Sequence, residues 1–195
     1  MCIRDSYQGL IYDPQPQYRT ALEIDPDIFV LNSFSKYFGM TGWRLGWMVV
    51  PRDALDPVAR LAQNLFISPS AIAQRAALAA FSPAAMAIHE SRRVEFSQRR
   101  DRLAAGLQDL GFGLPVSPRG AFYLYVDIAS TGMGSEEFCW QLINEFHVAV
   151  TPGIDFGDHL ADRYVRFAYT TDMASIELGL ERIAAALQAW GLACR

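Results

Sequence analysis

One stretch of this 195-residue chain concentrates reactive side chains: Ser33-Phe34-Ser35-Lys36-Tyr37-Phe38-Gly39-Met40-Thr41-Gly42-Trp43-Arg44-Leu45-Gly46. A lysine follows two hydroxyls at the end of an apolar run, and an arginine stands eight residues beyond it. Two cations and two hydroxyls gathered at one strand end make an anion site, and phosphate matches that donor set. A lysine that is partly desolvated beside a second cation has a lowered pKa, the condition for an amine nucleophile that forms a Schiff base. The same residues also fit an ordinary solvated loop with one Lys and one Arg, because short patterns recur by chance. Arg166 lies in an apolar run, where a cation without an anion partner is costly. Arg119 reads as a surface charge, and Asp155 and Asp158 as turn residues. His89, His147 and His159 share no ligand spacing, so they read as surface or structural residues and no metal is expected.

These residues need elements to hold them. Ile28–Phe34 is β-branched and aromatic and reads as a buried strand, and Leu45–Val50 reads as a second strand. The link between them, Ser35–Arg44, is polar and carries two glycines. Helical pattern follows over Ala54–Phe66 and again up to Phe81. Ser82–Pro83 is a helix start, with a hydroxyl cap and proline at the first position. In the charged segment Ala84–Leu110, Phe96, Leu103, Leu107 and Leu110 share one face, and Gly111 offers a left-handed stop. A helix of that length bridges two packed bodies, which puts a domain boundary near its start. Ala121–Val126 reads as a strand whose Phe122, Tyr123 and Tyr125 belong to the core. Ser135–Phe146 reads as a helix capped by Ser135, and Val148–Thr151 and Tyr164–Tyr169 as short strands. In the last helix, Ile176, Leu180, Ile183, Leu187 and Trp190 step at helical spacing, and Gly191 closes it.

Composition limits the classes. With 51% hydrophobic and 19% charged residues, the chain can bury a core and is not disordered. A net charge of -4 argues against a nucleic-acid footprint. No uncharged run approaches the roughly 20 apolar residues of a spanning helix, so no membrane association is expected. Cys2, Cys139 and Cys194 lack metal or redox spacing, and no apolar leader segment is visible, so a reducing cytoplasm is the expected location.

The lysine stretch resembles the signature of the class I/II aminotransferases, fold-type I enzymes that use pyridoxal 5′-phosphate. The pattern runs small hydroxyl residue, apolar residue, small residue, Lys, then Arg eight residues on, an apolar residue and Gly. Every position is matched, by Ser33 to Lys36 and by Arg44 to Gly46. Tyr7-Gln8-Gly9-Leu10 resembles the segment whose tyrosine meets the cofactor's phenolic oxygen. Pro118-Arg119-Gly120-Ala121-Phe122-Tyr123 and Thr151-Pro152-Gly153 with Phe156-Gly157 resemble small-domain segments of the family. Val165-Arg166-Phe167-Ala168-Tyr169 resembles the strand whose arginine holds the substrate α-carboxylate.

The resemblance implies an α/β fold. Residues 1–82 would be the C-terminal remnant of the large, α/β/α cofactor-binding domain, and 83–195 an α+β small domain joined to it by the long helix. It implies that Lys36 binds the cofactor covalently and shuttles the proton, that Ser33, Ser35 and Arg44 hold the phosphate, that Tyr7 donates to the phenolic oxygen, and that Arg166 clamps the carboxylate. The implied activity moves an amino group from an amino acid to a 2-oxo acid, in a cytoplasmic homodimer. A carbon–sulfur β-lyase of the same fold, or the aminotransferase-like sensor domain of a transcription regulator, fits the same signature. One departure stands out. The family has an Asp three residues before the tyrosine, facing the pyridine nitrogen, and this chain has Arg4, with Asp5 out of register by one. Met1–Ser6 therefore reads as foreign sequence in front of a C-terminal half, and the 195 residues alone are expected to lack transaminase activity.

Overall fold

Among the described residues, two short sheets and five α-helices follow from the apolar runs and caps of the chain. The computed structural model describes residues 2–12 and 19–192, and residues 2–4 by their backbone. The described residues divide into two compact units, Met1–Val94 and Glu95–Arg195, with the division inside the longest helix.

In the first unit, β1 (Cys2–Arg4) pairs in parallel with β2 (Phe29–Ser33), and β2 pairs antiparallel with β3 (Gly46–Val49). The segment expected to be foreign thus supplies backbone to the sheet, with Arg4 opposite Leu31. The expected strand at Leu45–Val50 forms as β3, and all four residues of β3 are exposed. Helices α1 (Leu55–Leu65) and α2 (Ala71–Ala80) follow. Ser70 caps α2 by accepting from the Ala73 amide at 3.4 Å. The α2 face of Ala73, Ala77 and Ala80 is small enough to let Phe34, Met40 and Leu45 of the lysine loop pack onto it. No residue of α1 is buried.

Helix α3 (Pro83–Asp109) starts as its sequence predicts, with the Ala85 amide on the Ser82 hydroxyl at 3.3 Å and proline at the first position.

The second unit is a two-layer α+β body. Its sheet has the order β4 (Tyr123–Asp127), β6 (Tyr164–Ala168), β5 (Thr151–Pro152), all antiparallel. Burial alternates along β4 and β6: Leu124, Val126, Val165 and Phe167 face the core, so Tyr123, Tyr125, Tyr164 and Arg166 share the other face. The core is completed by Leu107 of α3, by Phe138 and Leu142 of α4 (Ser135–Phe146), and by Ile176, Leu180, Ile183 and Leu187 of α5 (Met173–Ala189). Burying each such side chain is worth about 1.5–3 kcal/mol. Ser135 does not cap α4, contrary to its sequence reading. It is the first helical residue, fully buried, and its amide donates to Asp162 Oδ1 at 2.8 Å. The capping acceptor is supplied across the fold by a residue 27 positions away. Among the described residues, no single helix is long and apolar enough to cross a membrane.

Candidate active site

The lysine loop is shaped by its own backbone. The Phe34 amide donates to the Leu45 carbonyl at 3.1 Å and the Met40 amide to the Phe34 carbonyl at 3.1 Å, so the chain returns to where β2 ended. A turn closed by the Gly39 amide on the Lys36 carbonyl, at 3.1 Å, presents Lys36 just past the strand. Lys36 is half-buried, and its Nζ stands 5.8 Å from the centroid of the Tyr7 ring. Residues 29 positions apart are thus brought to one place, an amine beside a phenol.

The hydroxyls form a pair next to them. Ser33 Oγ donates to Ser35 Oγ at 2.8 Å and accepts from the Ser35 amide at 3.0 Å. Thr41 Oγ1 donates to the Ser35 carbonyl at 2.6 Å, and Arg44 Nη1 donates to the Thr41 carbonyl at 3.0 Å. Arg44 therefore joins the serine pair through Thr41, and its guanidinium is exposed. Its backbone has φ 50°, in the left-handed region. A non-glycine residue there costs about 1–2 kcal/mol, and such positions cluster at functional sites. The loop carries a hydroxyl pair, a second cation and a lysine, a donor set that suits a phosphate-bearing aldehyde: anionic at one end and able to bond to an amine at the other.

Arg166 belongs to the second unit. Thr151 sits directly opposite it in the sheet and accepts from Nη2 at 3.2 Å. The guanidinium carbon is 4.7 Å from the Phe156 ring centroid and 5.6 Å from that of Tyr123. Its Nε is buried without a hydrogen-bond partner, and no carboxylate pairs with it among the described residues. A planar cation held between two rings with a donor left unmatched is suited to a carboxylate, which can accept from two guanidinium N–H groups at once. Leaving such a donor unpaired costs about 1–3 kcal/mol.

Three residues of this second centre were not singled out from sequence: Tyr123, Thr151 and Phe156. Tyr123 was read as core, yet strand alternation puts it opposite the buried Leu124 and on the Arg166 face. That period-two signal was available in the sequence. Phe156 depends on the loop of Gly153, where a Cβ would come within 2.5 Å of the Tyr164 carbonyl and 2.7 Å of Tyr125 Oη, so only glycine fits. His89 is buried, with Nε2 3.2 Å from the Ala80 carbonyl, whereas His147 and His159 are exposed.

Residues 4–183 match the family model described as aminotransferase class I and II. The chain is 37% identical to a valine–pyruvate aminotransferase of Mycobacterium tuberculosis, over 91% of this chain and 46% of that protein. It is 36% identical to a (5-formylfuran-3-yl)methyl phosphate transaminase of Methanocaldococcus jannaschii, over 91% of this chain and 47% of that one. Among solved structures, an aminotransferase from Mycobacterium tuberculosis superposes with a TM-score of 0.92 at 36% identity, covering 96% of this chain and 49% of that chain. An aromatic aminotransferase from Pyrococcus horikoshii gives 0.90 at 31%, covering 98% and 52%. The chain spans about half the length of the curated relatives it matches.

Proposed function

The chain belongs to the class I and II aminotransferases, and from that premise we propose that the whole protein moves an amino group from an amino acid to a 2-oxo acid, using pyridoxal 5′-phosphate. The observation that carries the reading is the placement of the Lys36 amine 5.8 Å from the Tyr7 ring, at the mouth of a loop that also holds Ser33, Ser35 and Arg44. The substrate class is supported by similar proteins named as a valine–pyruvate aminotransferase and an aromatic aminotransferase.

Each residue has a task in this reading. Lys36 is the covalent anchor of the cofactor and afterwards the base whose Nζ holds and moves the proton taken from the substrate α-carbon. Ser33, Ser35 and Arg44 hold the phosphate. Tyr7 donates a hydrogen bond to the phenolic oxygen. Arg166 binds the α-carboxylate and so fixes which bond at the α-carbon is aligned for cleavage. When bound, the cofactor supplies a ring that delocalises the negative charge left at that carbon. Residues 1–82 belong to a cofactor-binding domain and 83–195 to a small domain, in a cytoplasmic homodimer. Residue 4 is where this chain parts from its family. An arginine opposite the ring nitrogen would oppose its protonation, and the side chain of Arg4 lies outside the described residues.

The test is chemical. The full-length protein is loaded with cofactor, reduced with borohydride and mapped by peptide. The pyridoxyl label is expected on Lys36, and Lys36→Ala should lower turnover by about 10²–10⁴-fold. A label on another lysine, or none, overturns the assignment.

A further inference from the structure

Tyr37, the residue after Lys36, takes no part in the roles above. Its phenol donates to Glu90 Oε1 on α3 at 2.5 Å. The other oxygen of Glu90 accepts from Arg93 Nε at 2.8 Å. Arg93 also donates, through Nη1, to the carbonyl of Ile11 at 2.9 Å. Ile11 lies four residues after Tyr7 on the same segment. Two side chains on one turn of α3 therefore hold both the loop of Lys36 and the segment of Tyr7.

The ring of Tyr37 is packed as closely as its hydroxyl is bonded. It lies 5.1 Å from the Phe38 ring and 5.4 Å from the ring of the buried His89. The turn after Tyr7 leans on it directly, since any side chain at Gly9 would overlap the Tyr37 ring. Burial, and then the bond to Glu90, push the Tyr37 phenol up to about 12. The same bond holds the Glu90 carboxyl below its ordinary range. At neutral pH the donor keeps its proton and the acceptor its charge, so the contact is a charge-assisted hydrogen bond, stronger than a neutral one.

We propose that Tyr37 is a positioning residue for Lys36: tied to Glu90 and Arg93, it sets the separation between the lysine amine and the Tyr7 phenol. The proposal rests on the reading of Lys36 given above. Reacting groups have to be held to within about 0.5 Å of the productive geometry, and a misplacement of about 1 Å can cost on the order of 10²-fold in rate. Without the Tyr37 hydroxyl, Arg93 still holds Ile11, but the lysine loop is no longer tied to the same side chains. The amine then moves relative to the phenol, and its electrostatic surroundings change with it.

The experiment uses the full-length protein stripped of cofactor, and reads the lysine rather than turnover. Pyridoxal 5′-phosphate is added over a range of pH, trapped with borohydride, and the label on Lys36 quantified by peptide mapping. Relative to the unaltered protein, Tyr37→Phe should shift the midpoint of labelling by about 0.5 pH units or more and slow it by about threefold or more. Glu90→Ala should do the same, and the double variant no more than the larger single effect, because one bond is being removed twice. If both single variants melt within a few degrees of the parent and label Lys36 with its midpoint and rate, the positioning role is overturned while the lysine assignment stands. If the unaltered protein takes no label at Lys36, the lysine assignment fails and the proposal with it. Should Tyr37→Phe fail to fold, Glu90→Ala on the exposed helix face is read by the same criteria.

Discussion

The two units of this chain bury their apolar residues to different extents. In the second, Leu124, Val126, Phe138, Leu142 and Val165 are fully buried, and the strands alternate between core and surface. In the first, β3 exposes all four residues, and Leu55, Leu61, Leu65, Phe66 and Ile67 in and after α1 are more than half exposed. One of its packed clusters consists of three alanines and three larger residues around the lysine loop. Apolar surface contributes to stability only where it leaves water. The second unit therefore gains more from its large apolar side chains, while the first buries Leu10, Ile28 and Val30 and, separately, the cluster that shapes the lysine loop.

That contrast makes the largest stability prediction. Leu142→Ala in α4 should destabilise the chain by about 2–5 kcal/mol, since the cavity is left in a closed core. Leu65→Ala, at a residue 77% exposed, should stay within about 0.5 kcal/mol. Denaturant melts of both variants check the pair. If Leu65→Ala costs as much as Leu142→Ala, the apolar face of α1 is covered in solution and the contrast between the units collapses.

The second prediction turns on the different donor groups that the two units carry. The first offers a hydrogen-bonded set of hydroxyls and cations on a loop, and the second offers one arginine held on a strand beside two rings. A rigidly held cation should be sensitive to its shape as well as its charge. Arg166→Lys in the full-length protein keeps the charge and loses the planar fork, so kcat/KM for the amino acid should fall by about 10–100-fold, equivalent to roughly 1.4–2.8 kcal/mol. The measurement is steady-state kinetics with a saturating 2-oxo acid. A change within about twofold would remove Arg166 from the substrate site.

Much of this could be read in the sequence, and the remainder could not for a definite reason. The start of α3 at Ser82–Pro83 and the buried stripe of Ile176, Leu180, Ile183 and Leu187 are local patterns, and both are present. Lys36, Ser33, Ser35 and Arg44 lie within one stretch of chain, so their proximity follows from spacing. The contacts that sequence reading missed all span distance: Asp162 on the α4 amide, Phe156 and Tyr123 around Arg166, and Glu90 on Tyr37, 53 residues away. The exposure of β3 was not legible either, because an apolar strand looks the same in sequence whether or not another surface covers it.

The smallest expected effect concerns the rim of the second unit, and asks whether anything besides its core holds it. Arg163 donates to Asp127 Oδ2 through Nε at 2.9 Å and Nη2 at 2.5 Å, and the Ala129 amide donates to Oδ1 at 2.9 Å. The bond from Arg163, against the opposing effect of burial, holds the Asp127 carboxyl below its ordinary range. A carboxyl whose pKa is lower folded than unfolded adds stability above the unfolded value, near 4, and that stability is lost as pH falls through the folded value. Arg163 is half exposed, at 50%, so solvent screens the pair and the gain is below about 1 kcal/mol. Thermal melts between about pH 6 and pH 3 should therefore fall more steeply for the parent than for Asp127→Asn, with the two curves converging at the acid end. At pH 6 the variant should melt a few degrees lower, on the order of what 1 kcal/mol does to a domain of this size. Parallel curves across the whole range would mean that the pair adds nothing and that the buried face of the sheet alone decides the stability of this unit.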